Sequence, residues 1–245
     1  MKETSSRKTA KTCLITGATS SMGTSISLTF AKNGYHLILT GRNEKKLRQV
    51  KSLIKAKSGD SPTIIAANLT NYSNVQQIIT TVKENGTIDT IVHCAGVWHS
   101  KETAYYGIDF EDYDQDVIDD TLEVTLNSFM TITHGLIPLM KQNQGGSIIA
   151  ITGTFENGAA GWLPYYTSKQ ALEAYCKGLS DELADAGIRV NCISPSDTNT
   201  TAYRKFFPDE AQNSLNPQEI SNFALFLASE KAKYITGSST VMKKY

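Results

Sequence analysis

The sequence predicts an α/β fold, a single domain in which a parallel sheet carries helices on both faces. Short apolar runs alternate with longer amphipathic segments along the chain, the pattern of strand–helix–strand units. No internal repeat, low-complexity linker or composition break divides the 245 residues. Apolar residues make up 40% of the chain, which is enough to bury a substantial core.

The elements follow from length and periodicity. Short apolar runs predict strands at residues 12–16, 36–40, 63–67, 88–94, 147–152, 189–194 and near 239–242. Amphipathic segments predict helices at residues 24–33, 44–56, 74–85, 112–142, 167–186 and 218–229. Residues 1–11 are polar and basic and predict a flexible tail, so the folded domain is expected to cover residues 12–245.

Charge and cysteine content exclude several classes of protein. The formal net charge is zero, which argues against nucleic acid or an anionic membrane as the main partner. Cys13, Cys94, Cys176 and Cys192 form no C-x-x-C pair, and three of them lie in apolar strand-like runs. We therefore expect reduced, buried thiols in a cytoplasmic protein, with no disulfide frame, metal site or membrane span.

The first predicted strand runs into a glycine-containing turn and then a helix. Glycines at such a turn let the backbone approach a pyrophosphate, which then lies at the helix N-terminus. Taken alone, the turn is equally consistent with an ordinary strand-to-helix connection. Its candidate cofactor-binding residues are Gly17, Thr19, Ser20, Ser21, Met22 and Gly23.

The residues after the second strand indicate which dinucleotide binds. NAD sites usually place an acidic residue there to bind the ribose 2′-hydroxyl. This chain has Arg42 instead, placed to hold a 2′-phosphate, so NADP(H) is preferred over NAD(H). A surface arginine at a helix start is the alternative. Asn68 and Leu69, after the third strand, are expected near the adenine.

The fourth strand ends in small residues, Ala95 and Gly96, that let the backbone pass beneath a bound nucleotide. Gly96 as a simple turn residue is the alternative. The following loop carries Trp98 and His99, which are candidates for substrate contact or ordinary loop aromatics. His99 has no Cys, Asp or His neighbour at ligand spacing, so no metal site is expected.

Tyr165 and Lys169 are four residues apart, and share one face if the helix has already begun at Tyr165. An ammonium beside a phenol favours the phenolate, which would lower the Tyr165 pKa towards neutral and suit it to proton exchange with a substrate. Two common residues at helical spacing are more often a solvated pair. The spacing becomes specific only with a nucleotide-binding half upstream.

Together these stretches resemble the short-chain dehydrogenase/reductase family over residues 12–237. The matching pieces are TGATSSMG, HCAG, Tyr165-x-x-x-Lys169, the run RVNCISPSDTNT and Tyr-Ile-Thr-Gly237. The resemblance implies a Rossmann-type, doubly wound, seven-stranded sheet and a nicotinamide cofactor. It also implies a small-molecule carbonyl or alcohol substrate, and a homodimer or homotetramer built on the two long helices beside the active site.

The resemblance also implies roles for residues. Hydride would pass between nicotinamide and substrate carbon, while Tyr165 gives a proton to the developing alkoxide. Lys169 would lower the Tyr165 pKa and hold the nicotinamide ribose. Thr200 matches the threonine that binds the nicotinamide carboxamide, and Pro195 and Thr198 lie close by in the sequence.

Departures from the family put parts of this site in doubt. Ser21 replaces the middle glycine of the turn, and weakened phosphate binding is expected. Thr125 stands where the family usually has a catalytic Asn. The substrate-binding Ser is also missing: alignment on the strand puts Gly153 there, and counting back from Tyr165 gives Thr152. Thr152 is the first choice for the catalytic hydroxyl and Thr154 the second.

Two functions remain open. The first is an active NADPH-dependent carbonyl reductase. The second is a degenerate family member that binds a dinucleotide as a sensor or scaffold without turnover. A short apolar segment with Tyr203, Phe206 and Phe207 predicts an open pocket for an apolar or aromatic carbonyl. The chain also lacks a glycine-rich C-terminal tail, which favours a dimer over a tetramer.

Overall fold

The chain forms a central strand of the sheet first, then adds strands towards one edge, and then adds strands towards the other edge. In a computed structural model that describes residues 10–155 and 159–244, seven parallel strands lie in the order β3-β2-β1-β4-β5-β6-β7. The strands are β1 Thr12–Thr16, β2 His36–Gly41, β3 Thr63–Ala66, β4 Thr90–His93, β5 Gly146–Ile151, β6 Ile188–Pro195 and β7 Ser239–Met242. The predicted doubly wound, seven-stranded parallel sheet is confirmed.

The helices connect the strands and cover both faces of the sheet. They are α1 Ser21–Lys32, α2 Glu44–Ser58, α3 Tyr72–Asn85, α4 Gln115–Leu122, α5 Ser128–Gln142, α6 Leu163–Glu182, α7 Thr201–Phe206 and α8 Pro217–Ala228. Helices α3, α5 and α6 bury apolar side chains against one face. Helices α1, α2 and α8 do so against the other face. Burial on both faces explains why the strands read as continuous apolar runs.

Three elements differ from the sequence prediction. The helix predicted at 112–142 is α4 and α5 joined by a π-helical turn, Glu123–Asn127. Helix α6 begins at Leu163 rather than at residue 167, because Pro164 is compatible with a first helical turn. Helix α7 was not predicted: it has only six residues and no buried face that periodicity could reveal.

The switch point of the sheet lies between β1 and β4, which run side by side with Thr16 level with His93. In such sheets, ligands bind outside the carboxyl ends of the strands where the winding reverses. Within the part of the chain that is described, no helix is both long and apolar enough to cross a membrane. Residues 1–9, most of the predicted tail, lie outside the described residues.

Candidate active site

Tyr165 and Lys169 lie together at the carboxyl edge of the sheet. The early start of α6 places Tyr165 in its first turn, so the four-residue spacing puts both side chains on one face. The Lys169 Nζ atom lies 5.4 Å from the centroid of the Tyr165 ring. The structure therefore brings the predicted pair together.

Lys169 is buried beneath the strand ends. Its side chain is only 3% exposed, and Nζ donates a hydrogen bond of 2.8 Å to the carbonyl oxygen of Ile151, the last residue of β5. Burial lowers the pKa of Lys169 to about 8, so its ammonium still predominates at pH 7. A Cβ atom added at Gly96 would lie 3.2 Å from Nζ. The missing side chain at Gly96 thus leaves room for the ammonium.

The pKa of Tyr165 does not fall as the sequence predicts. Burial raises the pKa of the phenol above its ordinary value, and Cys94 acts in the same direction. The hydrogen bond of the Lys169 ammonium goes to the Ile151 carbonyl, and its charge does not offset the desolvation of the phenol. Tyr165 is therefore a neutral phenol at pH 7, which suits it to give a proton rather than to take one.

The structure corrects the assignment of Thr152 to the substrate oxygen. The Thr152 hydroxyl is buried and donates to the Glu173 carboxylate at 2.6 Å. The Thr154 hydroxyl donates to the Ser194 carbonyl at 2.9 Å. A Cβ atom added at Gly153 would lie 3.5 Å from the Phe155 ring and 4.0 Å from the Tyr165 oxygen. Strand alternation turns both threonines away from this point.

The glycine turn after β1 forms a cradle with no space for side chains. Gly17 has a φ of +65°, and a Cβ atom there would lie 2.9 Å from the Ala95 nitrogen. A Cβ atom at Gly23 would lie 2.2 Å from the Gly17 carbonyl oxygen. Ser20 caps α1, accepting a hydrogen bond of 2.9 Å from the Gly23 N–H. A close backbone cradle at a helix N-terminus fits a pyrophosphate.

Ser21, the residue that replaces a glycine, bonds to α7 across the mouth of the cradle. Its hydroxyl donates to the Thr201 hydroxyl at 3.0 Å and accepts from the Thr201 N–H at 3.0 Å. In this structure the hydroxyl therefore connects the glycine turn to the first residue of α7. The sequence suggested a weak phosphate contact for Ser21, and no local signal pointed to a partner 180 residues away.

Arg42 lies next to the glycine turn at the end of β2. A Cβ atom at the neighbouring Gly41 would come within 3.1 Å of the Thr19 side chain, so these two segments touch. The Arg42 side chain is exposed, and the described residues offer its guanidinium no hydrogen bond or ion pair. An exposed guanidinium on the residue that follows this contact suits a 2′-phosphate.

Two of the predicted cofactor residues contribute their side chains to the core. Leu69 is buried in the cluster that includes α3 and α5, and Met22 packs against the cluster of the opposite face. Only their backbone groups are free to meet a ligand. Asn68 is exposed, and its side-chain oxygen accepts from the Thr70 N–H at 3.4 Å.

The segment after β6 is held by its own polar side chains. Thr198 is buried and donates to the Ser196 carbonyl at 2.9 Å. Thr200 caps α7 by accepting from the Tyr203 N–H at 3.0 Å. Pro195 ends β6 at the same sheet edge as Tyr165. These contacts fix the backbone between the glycine cradle and the Tyr165 phenol.

Thr125 lies in the π-helical turn, close to the Lys169 ammonium. Its hydroxyl is buried without a hydrogen-bond partner among the described residues, and lies 3.7 Å from the Cβ position of Gly96. Its carbonyl accepts from His93 Nε2 at 3.1 Å, so His93 Nδ1 accepts from the Thr16 hydroxyl. Burial lowers the pKa of His93 to about 3, which keeps this ring neutral. Sequence reasoning missed His93.

Five aromatic rings form a connected cluster that reaches Tyr165 through Trp162: Trp98, Tyr106, Trp162, Phe206 and Phe207. We call this set the aromatic roof. The Trp162 ring centroid lies 6.0 Å from that of Tyr165 and 6.3 Å from that of Trp98. Trp98 was predicted, whereas Trp162 was missed because it precedes the helix without a motif. Among the described residues, no group of three or more His, Cys, Asp or Glu side chains is placed to hold a metal.

The chain is similar to known proteins over nearly its whole length. A family model described as enoyl-(acyl carrier protein) reductase matches residues 17–244. The chain is 32% identical over 238 residues to an uncharacterized oxidoreductase, YmfI, of Bacillus subtilis, covering 93% of this chain and 95% of that protein. It is 30% identical over 240 residues to the 3-oxoacyl-[acyl-carrier-protein] reductase FabG of Rickettsia bellii, covering 94% and 93%.

Solved structures superpose over nearly the whole chain. One, described as a short chain dehydrogenase of Shigella flexneri complexed with NADP, gives a TM-score of 0.85 at 30% identity, covering 94% of this chain and 96% of that one. L-sorbose reductase of Gluconobacter frateurii, complexed with NADPH and L-sorbose, gives 0.84 at 25% identity, covering 96% and 95%.

Proposed function

The chain belongs to the short-chain dehydrogenase/reductase family and is an NAD(P)-dependent oxidoreductase of it, and we propose that it uses NADPH to reduce a carbonyl substrate. One observation carries this proposal: a neutral phenol and a buried ammonium lie 5.4 Å apart, beside a backbone cradle shaped for a dinucleotide. A protein that only bound the dinucleotide would not need that pair.

The chain's own residues would hold the cofactor in order along the sheet edge. The turn from Gly17 to Gly23 would hold the pyrophosphate at the start of α1, and Lys169 the nicotinamide ribose. Thr200, at the start of α7, would face the nicotinamide end. When bound, the nicotinamide supplies the hydride.

Tyr165 then performs the proton chemistry. Its raised pKa keeps the phenol protonated at pH 7, so it donates a proton to the carbonyl oxygen as negative charge develops there. The ammonium of Lys169 stabilises the phenolate that remains. The buried hydroxyl of Thr125 lies near this ammonium and is the side chain available to take part when the proton is replaced.

The preference for NADPH rests on Arg42. Arg42 is exposed and follows Gly41, which contacts Thr19 of the glycine turn, so its guanidinium would be in reach of the 2′-phosphate of a bound NADPH. Two structural neighbours are complexed with NADP or NADPH, which supports the same preference. NADH lacks the 2′-phosphate, so it offers this guanidinium no such partner.

A dinucleotide sensor or scaffold without turnover is the competing function. The loss of the substrate-binding Ser at Gly153 and of Asn at Thr125 favours it. The test is to titrate the full chain with NADPH and with NADH by fluorescence, and then to follow NADPH oxidation with a panel of ketones and aldehydes. Tight NADPH binding followed by oxidation supports the reductase, whereas binding without turnover on any carbonyl supports the sensor.

We also propose that the protein is a cytoplasmic homodimer built on α5 and α6. Met130 on α5 and Leu163 on α6 are apolar and about 40% exposed, as expected of side chains that meet a second subunit. All four cysteines are free thiols, as in a reducing compartment. Light scattering of the purified chain tests the dimer, with a monomer or tetramer contradicting it.

A further inference from the structure

The aromatic roof joins rings from three separate segments of the chain. Trp98 and Tyr106 come from the loop after β4, Trp162 precedes α6, and Phe206 and Phe207 end α7 and follow it. Trp98 lies 5.9 Å from Phe206 and 6.4 Å from Phe207, and Tyr106 lies 5.1 Å from Trp162. Through Trp162, the set is continuous with the Tyr165 ring.

These rings are not part of the hydrophobic core. None of the five belongs to either core cluster, and Tyr106 is 56% exposed. Large aromatic surface that is left half-exposed beside a catalytic phenol is available to bury a ligand. This apolar surface lies next to the proposed proton donor, where a substrate would pack against it.

Backbone contacts fix the segments that carry the rings. The Gly107 N–H donates to the Gly161 carbonyl at 3.1 Å, and the Tyr113 hydroxyl donates to the same carbonyl at 3.0 Å. Lys205 Nζ on α7 donates to the Lys101 carbonyl in the loop after β4. The roof is therefore preorganised, which reduces the entropic cost of ordering it on binding.

Among the described residues, the hydroxyls that flank Gly153 are engaged with other groups. Those of Thr152 and Thr154 donate to Glu173 and Ser194, and Gly153 has no side chain. Tyr165 is then the described group placed to donate to a carbonyl oxygen. The Phe155 ring lies 3.5 Å from the Cβ position of Gly153, so contact with aromatic rings would orient the substrate.

The charges near the roof do not favour an ionised substrate. Among the described side chains, Lys205 contacts a roof ring as a cation, with Nζ 4.9 Å from the Phe206 centroid, and this atom already donates to Lys101. Arg204 on the same helix is bonded to Asn199. A flat, uncharged molecule matches these surroundings.

We propose that the substrate is an uncharged aryl ketone or aryl aldehyde, whose ring packs against Trp98 and Trp162 while its carbonyl oxygen meets Tyr165. This inference rests on the proposed NADPH-dependent reduction. The carbonyl π bond breaks, the carbon accepts hydride from NADPH and the oxygen accepts the Tyr165 proton. The products are a benzylic alcohol and NADP⁺.

The test compares matched carbonyl compounds with the full chain and NADPH. Acetophenone and its saturated counterpart, cyclohexyl methyl ketone, differ in the ring alone, and ethyl 3-oxobutanoate represents an open-chain 3-oxo compound. Because their intrinsic reactivities differ, the readout is the ratio of kcat/KM for acetophenone to that for the saturated ketone. We expect Trp162→Ala to lower this ratio at least tenfold, and Tyr234→Ala, a truncation of a ring that is 88% exposed, to leave it unchanged.

A second variant protects the test against misfolding. Phe207→Leu keeps apolar volume but removes a ring, and is expected to lower the same ratio about threefold. An unchanged ratio in both variants would overturn the aryl specificity, and so would an equal loss of kcat/KM for ethyl 3-oxobutanoate and for acetophenone in Trp162→Ala. Either result leaves the reductase activity standing. If NADPH binds and none of the three compounds is reduced, the result contradicts both the proposed reductase activity and the proposed aryl substrate.

Discussion

The glycine turn after β1 and the aromatic roof lie at the same edge of the sheet, yet backbone shapes the first and side chains shape the second. At Gly23 the cradle excludes even a Cβ atom, which would lie 2.2 Å from a carbonyl oxygen. At Gly153, beneath the roof, an added Cβ atom meets ordinary contacts of 3.5 Å or more. The cofactor side thus tolerates little change, whereas the substrate side is free to vary.

This difference explains where the chain departs from its family. On the cofactor side, Ser21 is accommodated because its hydroxyl bonds to Thr201, the first residue of α7. On the substrate side, the hydroxyls of Thr152 and Thr154 are engaged elsewhere, and the aromatic roof reaches the phenol through Trp162. Five predictions test this contrast, from the largest expected effect to the smallest.

The largest effect is expected at the point where the two sides meet. Tyr165→Phe removes the proton donor without changing the ring, so kcat should fall roughly 10²- to 10⁴-fold. The Kd for NADPH should change little, since the variant keeps Lys169 and the cradle. Stopped-flow and binding measurements check both values, and a near-normal kcat would remove Tyr165 from the mechanism.

On the cofactor side, Arg42→Ala tests a side-chain contact. Loss of one charge-assisted contact to phosphate, about 1.5–3 kcal/mol, should raise the Kd for NADPH roughly 10- to 100-fold. The Kd for NADH, which lacks that phosphate, serves as the internal control and should stay within about twofold. Equal changes for both cofactors would show that Arg42 does not bind the 2′-phosphate.

The same small substitution at two glycines compares the two sides directly. Gly23→Ala forces a collision with backbone, costing about 1–3 kcal/mol, and should weaken NADPH binding roughly 5- to 100-fold. Gly153→Ala meets no such contact and should leave the Kd for NADPH unchanged. Thermal unfolding of both variants separates lost binding from lost folding. Similar Kd values for the two variants would contradict the difference in backbone tolerance between Gly23 and Gly153.

The pH dependence of the reduction should follow Lys169. Its pKa is lowered from 10.5 to about 8 by burial, so the ammonium is present below pH 8 and is lost as the pH rises above it. The rate should therefore be flat from pH 6.5 to 7.5 and fall by up to tenfold per unit above about 8. Lys169→Arg keeps the charge at high pH, and its residual activity should lose this decline. A decline that persists would assign it to another group.

The smallest effect is expected at the contact between the glycine turn and α7. Ser21→Gly removes two hydrogen bonds to Thr201, each about 0.5–1.5 kcal/mol, and should speed NADPH dissociation roughly two- to tenfold. Ser21→Thr, which keeps the hydroxyl, is the matched control. Slower dissociation in Ser21→Gly would mean that the serine hinders the cofactor.

Local pattern was sufficient for the strands, for the glycine turn and for the Tyr165–Lys169 spacing. It failed where a hydroxyl had competing partners. Thr152 was predicted to face the substrate, but Glu173, on the helix behind it, takes its hydrogen bond. The Tyr165 pKa was predicted to fall because the sequence shows the nearby Lys169 ammonium. The sequence does not show that the phenol is buried, and burial raises its pKa. Trp162 went unnoticed because only folding brings it to Trp98.

The sequence by itself determined the seven strands, their single parallel sheet, most of the helices between them and the edge at which a ligand is expected. These follow from periodicity and from glycines, which act within a few residues of the chain. Only the tertiary structure decided which hydroxyls are free, which way Ser21 points and which rings meet above Tyr165. Those outcomes depend on contacts between segments far apart in the chain, where burial and competition for hydrogen bonds outweigh local preference.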